Sequence, residues 1–449
     1  MGRLFGTDGV RGIANKELTP ELAFRLGQVG ATVLTEELHH KPAILVAKDP
    51  RSSSDLLEAA ICSGICSVGA KVIALGTLPT PAVAYLTRLY KADAGVMISA
   101  SHNPMEYNGI KFFDNRGFKL SDKTENKIEA ALKDENYKVP RPVGKDISKI
   151  TMCKNAASEY SSFIKSLAGC SLSGLKIGLD CANGAASFIA EDIFKNLGAE
   201  VFVINNSPDG GNINLNCGST DIRQLQSLVK EKSLHMGLAL DGDADRVIAV
   251  DECAQATDGD MIMSICGLHM KENKKLKDNT IVATVMSNLG LFIMAEQNGI
   301  NIVKTSVGDR YVIEKMTEGG FSLGGEQSGH IIFLEHNTTG DGLITGVMLA
   351  SIAAEKRCPL SQLSKVMKSM PQVLVNVRAS NEKKHLYGSY PEIAESISAI
   401  EQEFAGRGRV LIRPSGTEPL VRVMIEGDDI DYITKRASHL ASVIEKYVS

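Results

Sequence analysis

Short apolar runs alternate along most of the chain with segments whose apolar positions recur at helical spacing. Ala43 to Ala47 reads as a buried strand. Ser52 to Ser54 is expected to cap a helix through Leu56, Leu57, Ala60, Ile61 and Ile65, and Val72 to Leu75 is the next strand. Gly95 to Ile98 gives a further strand that runs into Ser99 to Pro104. The plan recurs with the strand Leu175 to Leu179, a helix near Ala186 to Leu197, and the strand Val201 to Ile204. A helix Asp221 to Lys232 then leads to the strand Gly237 to Leu240 and to Asp241 to Arg246. A third round has the strand Ile281 to Val285, helix Leu289 to Gln297, strand Ile302 to Val303 and helix Asp309 to Met316, before Gly324 to His330. Strands alternating with helices predict α/β domains with mixed or mostly parallel sheets. The final stretch differs: Val373 to Val377, two strands around Arg413 to Arg422 and a closing helix Ile430 to Tyr447 predict a smaller α+β domain. Boundaries are expected near 150, 255 and 368, helped by Pro140-Arg141-Pro142 and Pro371.

Composition narrows this picture. A chain of 449 residues, 43% hydrophobic and 23% charged, suits several globular domains. A net charge of −4 lacks the basic footprint of a nucleic-acid binder. The nine cysteines form no C-x-x-C pair, which disfavours structural zinc. Their odd number disfavours a disulfide framework, so a reducing compartment is expected. No apolar run approaches the roughly 20 residues of a membrane span, and no apolar signal core opens the chain. The expectation is a cytoplasmic protein without a membrane partner.

Polar clusters sit at the tips of the repeated units, where α/β sheets bind ligands. In Ser99-Ala100-Ser101-His102-Asn103-Pro104, Pro104 fixes the loop, while His102 and Asn103 supply polar groups beside the hydroxyl of Ser101. Alone, the hexapeptide is equally an ordinary polar turn. Adjacent side chains of an extended segment point apart, so His102 is expected to be a poor base for Ser101. The G-x-S-x-G match at 320–324 follows a helix and precedes a loop, unlike a nucleophile elbow. In Asp241-Gly242-Asp243-Ala244-Asp245-Arg246, three carboxylates on an extended strand would spread over about 13 Å. One Mg²⁺, with oxygens at about 2.1 Å, cannot span that distance, so the segment must curl if it holds metal. An EF-hand fails because Arg246 stands where glycine is needed and Val247 to Val250 reads as a strand. Three carboxylates between apolar strands repel one another without a cation, which favours metal over a solvated turn. Gly324 to His330 mixes Glu326, Ser328 and His330 with glycines, a set suited to sugar hydroxyls but weak by itself. Arg413-Pro414-Ser415-Gly416-Thr417-Glu418-Pro419 with Arg422 suits a phosphate clamp, or a hairpin turn with incidental charge. The stretches containing Thr7 and Arg11, and Asn108 to Lys111, add one cation each. There is no Walker A run, no G-x-G-x-x-G and no H-E-x-x-H.

Together and in this order, S-A-S-H-N-P, D-G-D-A-D-R, G-E-Q-S-G-H and R-P-S-G-T-E-P resemble the α-D-phosphohexomutase superfamily across essentially the whole chain. The opening F-G-T-D-G-V-R-G and Gln327 are most similar to members acting on hexosamine phosphates, with mannose and glucose phosphates as the alternative. The resemblance implies four domains around a central cleft, three related α/β domains and a C-terminal one, at 1–150, 151–255, 256–368 and 369–449. It implies a phosphoserine at Ser101 and Mg²⁺ held by Asp241, Asp243, Asp245 and Ser101. It implies sugar contacts from Glu326, Ser328 and His330, and a phosphate clamp of Arg413, Ser415, Thr417 and Arg422. Thr7 and Arg246 join the substrate side, and Arg11, His102, Lys111 and His330 the reacting centre. The implied reaction converts a hexosamine 6-phosphate to the 1-phosphate through a sugar 1,6-bisphosphate, with Lys111, Arg11 or His330 relaying a proton and a hinge near residue 370. A homodimer is a family-level expectation. Met105-Glu106-Tyr107 departs from the usual pattern beside the serine loop. A metal-dependent sugar phosphatase and a silent sugar-phosphate-binding protein are the rival readings.

Overall fold

A computed structural model describes residues 4–6, 8–380, 382–404, 407–414 and 419–448. They fall into two units, Met1–Met286 with Gly299–Val366, and Ser287–Asn298 with Met367–Ser449.

The first unit holds three sheets built to one plan. In the first, strands run in the order Val10–Ile13, Tyr107–Asp114, Ala94–Ile98, Ala43–Lys48, Lys71–Thr77 and Ile150–Met152. The last four are mutually parallel, and Tyr107–Asp114 lies antiparallel to Ala94–Ile98. The second sheet has parallel strands Glu200–Ile204, Lys176–Asp180 and Met236–Leu240, followed by antiparallel Val247–Asp251 and the short Ala256–Thr257. The third has parallel Asn301–Thr305, Thr280–Thr284 and Leu323–Gly325, then antiparallel Ile331–Phe333. The mixed sheets of the sequence reading are therefore three parallel cores, each closed by one antiparallel neighbour. The expected limit near 150 falls on the first residue of the outermost strand of the first sheet.

Helices cover these sheets with their apolar faces. Pro20–Thr35 and Ser52–Ser67 bury Leu26, Val29, Leu57, Ile61 and Ile65 against Ile44, Val46 and Val72. They cross closely at Gly27 and Gly64, where an added Cβ would lie 2.4 Å from the Ile61 carbonyl oxygen and 2.2 Å from that of Phe24. Ser52 to Ser54 do not cap the second helix. Arg51 occupies the cap position without a side-chain cap bond, and Ser54 Oγ instead donates to Asp49 Oδ1. The helix expected at Ala186 to Leu197 is divided into a 3₁₀ turn, Ala185–Phe188, and the helix Ala190–Asn196. The helix Gly342–Lys356, unforeseen in the sequence, is buried over most of its length. Its cap Asp341 accepts through Oδ1 from Leu343 N and Ile344 N.

The second unit is an antiparallel sheet in the order Gln372–Arg378, Leu420–Gly427, Gly408–Pro414, covered by Pro391–Phe404 and Ile430–Val448. Its core includes Val423, Ile425, Ile433, Leu440 and Ile444. The segment Ser287–Asn298 belongs here: buried Glu426 accepts from Asn288 Nδ2, Leu289 N and Arg409 Nε. Among the described residues, no helix is long and apolar enough to cross a membrane.

Candidate active site

The three sheets of the first unit place one polar loop each at the same topological point, between the last parallel strand and its antiparallel neighbour. Ser99 to Glu106 follows Ala94–Ile98, Asp241 to Arg246 follows Met236–Leu240, and Glu326 to His330 follows Leu323–Gly325. Loops at the carboxyl ends of parallel strands are where such sheets build sites.

In the serine loop, Ser101 takes a left-handed backbone conformation with φ 54°. Its amide donates to Ser99 Oγ at 2.9 Å, and its Oγ donates to Asp241 Oδ2 at 2.6 Å. The left-handed turn also corrects an expectation drawn from an extended segment: His102 Nδ1 lies 3.4 Å from Ser101 Oγ. Burial, with the charges of Arg246 and Arg11, pushes the His102 pKa down to about 4, so its ring is neutral at neutral pH. Ser322, the serine of the G-x-S-x-G match, is buried just before a strand and accepts from Lys277 N at 3.2 Å.

The aspartate segment curls, with Ala244 at φ 54°. Asp241, Asp243 and Asp245 are buried, and one ligand atom from each lies within 4.8 Å of the others. Backbone amides from neighbouring elements hold the turn in place. Thr80 N donates to the Asp243 carbonyl, Ala185 N to Gly242 and Gly342 N to Ala244, at 2.8–2.9 Å. Thr80 and Gly342 open helices, whose N-termini favour nearby negative charge. Gly242 is needed for close approach, since a Cβ there would sit 2.6 Å from the Ser101 carbonyl oxygen. Burial and the carboxylates of Asp245 and Asp243 raise the Asp241 pKa well above the usual range. Asp243 Oδ1 and Asp245 Oδ1 are buried without a hydrogen-bond partner among the described residues. Three convergent carboxylates beside a hydroxyl, two of them with an unsatisfied oxygen among the described residues, fit a hard divalent cation. The group is therefore compatible with a metal ion.

Cations surround this cluster. Lys111 Nζ lies 2.8 Å from Asp243 Oδ2 and 2.9 Å from Asp8 Oδ2, with its side chain 1% exposed. Burial works against its charge, but Asp243 and Asp8 raise its pKa, so it stays an ammonium. Arg11 Nη2 donates to Asp8 Oδ2 at 2.5 Å and Nη1 to the Ala100 carbonyl at 3.4 Å. Arg246 N donates to Asp241 Oδ1 at 3.2 Å. His330 Nε2 accepts from Gly340 N at 3.0 Å, which in the neutral form puts the ring proton on Nδ1, 3.5 Å from Asp245 Oδ2. Burial works against charge on this ring, but Asp245 and Asp309 raise its pKa.

In the third loop, Glu326 Oε1 accepts from Gly308 N at 3.1 Å, and Ser328 Oγ is buried without a hydrogen-bond partner among the described residues. Gln327 Nε2 donates to Asp258 Oδ2, tying the loop to the helix Gly259–Glu272. Arg413 and Arg422 belong to the second unit, where they face each other as directly paired residues of adjacent strands. Burial and the Arg422 charge lower the Arg413 pKa, an electrostatic tension that an anion would relieve. Thr7, Ser415 and Thr417 lie outside the described residues.

Sequence reasoning missed several members of this centre. Lys119 bridges Asp8 Oδ1, at 2.5 Å, and Asp309 Oδ2, with no motif around it. Thr80 Oγ1 donates to Asp243 Oδ2 at 2.5 Å, and Asn214 reaches the serine loop. Their only signal was the general one of polar residues near strand ends.

Family models of phosphoglucomutase/phosphomannomutase match the chain in four pieces. Alpha/beta/alpha domain I matches residues 2–138, domain II 158–255, domain III 258–370 and the C-terminal domain 374–442. The chain is 59% identical over 446 residues to the phosphoglucosamine mutase of Acetivibrio thermocellus, covering 99% of each chain. It is 58% identical over 449 residues to that of Ruminiclostridium cellulolyticum, covering 100% of each. Among solved structures, a phosphoglucomutase/phosphomannomutase family protein from Burkholderia thailandensis superposes with a TM-score of 0.84 at 22% identity, covering 100% of this chain and 98% of that one.

Proposed function

The chain belongs to the phosphoglucomutase/phosphomannomutase family, and on that premise we propose that it interconverts glucosamine 6-phosphate and glucosamine 1-phosphate, the activity its relatives' names describe. It is an isomerase, and the single observation that carries the mechanism is Ser101 Oγ set 2.6 Å from Asp241 at the edge of the aspartate cluster.

Ser101 carries the phosphoryl group. The bond between Ser101 Oγ and phosphorus breaks as the free sugar hydroxyl forms its own bond to phosphorus, and the proton lost by that hydroxyl ends on Ser101 Oγ. The 1,6-bisphosphate then turns round and its other phosphate returns to Ser101. The neutral His102 is the imidazole within reach of the serine oxygen. Lys111 and Arg11 remain cationic and stabilise charge on the transferring group, where a loose transition state needs positioning and electrostatics above all. The lone pair of His330 Nε2 is taken by Gly340 N, which favours an orienting role for this ring over a basic one. Asp241, Asp243, Asp245 and Ser101 would hold Mg²⁺, which supplies charge stabilisation on the phosphoryl oxygens.

Glu326 and the Ser328 hydroxyl, which has no partner among the described residues, suit sugar hydroxyls, and the paired Arg413 and Arg422 suit the phosphate that is not transferred. Domains at 1–150, 151–255, 256–368 and 369–449 would supply the serine, metal, sugar and phosphate loops in turn. The test compares kcat/KM for the 6-phosphates of glucosamine, mannose and glucose, with free phosphate followed in parallel. Preference for glucosamine 6-phosphate without accumulating phosphate is the expected result. Preference for another sugar overturns the substrate, and stoichiometric phosphate release overturns the mutase mechanism.

A further inference from the structure

The serine loop, Ser99 to Glu106, carries a left-handed serine, and the structure shows what grips it. Arg51 stands at the start of the helix Ser52–Ser67, with its side chain fully buried. A guanidinium has five N–H donors in a rigid fork, and here every one is used. Nε donates to Asp49 Oδ2 at 2.9 Å. Nη1 donates to the carbonyls of Pro104 at 2.5 Å and Tyr107 at 3.1 Å. Nη2 donates to the carbonyls of Ser101 at 2.9 Å and Asn103 at 2.8 Å. Four of the five bonds thus end on the backbone between Ser101 and Tyr107.

A second donor reaches the same oxygens from the second sheet's side. Asn214 Nδ2 lies 2.9 Å from the Ser101 carbonyl and 3.2 Å from that of Asn103. Each of these two carbonyls, with two lone pairs, is therefore filled by the same two side chains. Asp49 fixes the fork from behind: its Oδ1 accepts from Arg51 N and Ser54 Oγ, and its own amide donates to the Ile98 carbonyl. The loop is held through its carbonyls, which leaves the Ser101 side chain facing Asp241.

We propose that Arg51, braced by Asp49 and assisted by Asn214, is the positioning residue that sets Ser101 Oγ in line for phosphoryl transfer. Arg51 bonds to the backbone of the serine loop and to Asp49, and so acts on the Ser101 side chain through the backbone. Lysine cannot replace it, because an ammonium keeps the charge but offers three donors from one point in place of a planar fork. The inference rests on the reading of Ser101 as the phosphoryl carrier.

The test measures the full-length parent, Arg51→Lys, Asn214→Ala and Ser101→Ala by steady-state kinetics, thermal melting and hydrogen exchange of the 101–108 backbone. Displacing a reacting group by about 1 Å costs about 100-fold in rate, the loss of kcat expected for Arg51→Lys. Asn214→Ala, which removes two of the grip's bonds, is expected to lose about tenfold. In both, KM for the sugar phosphate should stay within about threefold, because the sugar's own contacts are intact. Loop amides should exchange faster in both while the melt stays cooperative. A kcat near the parent's in Arg51→Lys, or a loss expressed in KM alone, overturns the proposal. Should Arg51→Lys not fold, Asn214→Ala decides on the same criteria. A parent as inactive as Ser101→Ala on every sugar phosphate overturns the functional reading instead, and the exchange data then decide whether Arg51 orders the loop.

Discussion

The serine loop and the aspartate loop occupy matching places in matching sheets, touch each other at Gly242, and are held in opposite ways. Side chains hold the serine loop, with Arg51 and Asn214 on its carbonyls. Backbone amides from Thr80, Ala185 and Gly342 hold the aspartate loop, and no substitution other than proline removes an amide donor. The first loop is therefore vulnerable in its geometry and the second in its charge. One hydroxyl asks little of its surroundings beyond aim, whereas three buried carboxylates need cations to coexist.

The largest separation between the loops is expected from Ser101→Ala. Turnover should fall by about 10⁴-fold or more with the melting temperature nearly unchanged, since the loop's carbonyl bonds remain. Loss of fold along with activity would show that the hydroxyl itself holds the site together. Next comes Lys111→Met, which strips a fully buried counter-ion from Asp243 and Asp8. Removing one partner of such a pair costs about 3–5 kcal/mol, readable in urea unfolding. A variant as stable as the parent would mean that the carboxylates do not depend on that ammonium.

Asp241→Asn sharpens the contrast through metal removal. In chelator the variant should be more stable than the parent by about 1–2 kcal/mol, because one of three repelling charges is gone. With excess Mg²⁺ the order should reverse, since only the parent gains from binding. Identical shifts in both proteins would disconnect the triplet from metal. The smallest effect concerns Asp341, a buried carboxylate outside both loops that accepts from Leu343 N, Ile344 N, Tyr160 Oη and Asn337 Nδ2. Burial, only partly opposed by these bonds, raises its pKa to about 6. A raised folded-state value favours the protonated form, so this group's stabilisation is present at low pH and lost as pH rises through 6. Between about pH 5 and pH 7 the parent should lose about 1 kcal/mol relative to Asp341→Asn. A difference that does not change with pH would place the Asp341 pKa in its ordinary range.

Much of this was legible in the chain. The strands Ala94–Ile98 and Met236–Leu240 are short apolar runs ending in polar clusters, so both loops could be located to the residue. The curl of the aspartate segment followed from metal-ligand distances alone. What the chain hid falls into two classes. Gly342–Lys356, which brings its N-terminus to the aspartate loop, is apolar on all sides and shows no helical period. Arg51, Asn214, Lys119 and Asp309 stand far in sequence from what they bind, and nothing local distinguishes a buried arginine fork from a solvated charge. The nearness of His102 to Ser101 was misjudged for a related reason, since one left-handed residue turns an extended segment back on itself.

The most direct test of the central claim is the intact mass of the purified protein, with peptide mapping, before and after incubation with a sugar 1,6-bisphosphate. The expected result is one added phosphoryl group, on the peptide containing Ser101, that is lost when excess sugar monophosphate is added and absent from Ser101→Ala. An active enzyme with no phosphate on Ser101 at any stage, or with it on another residue, would contradict the account.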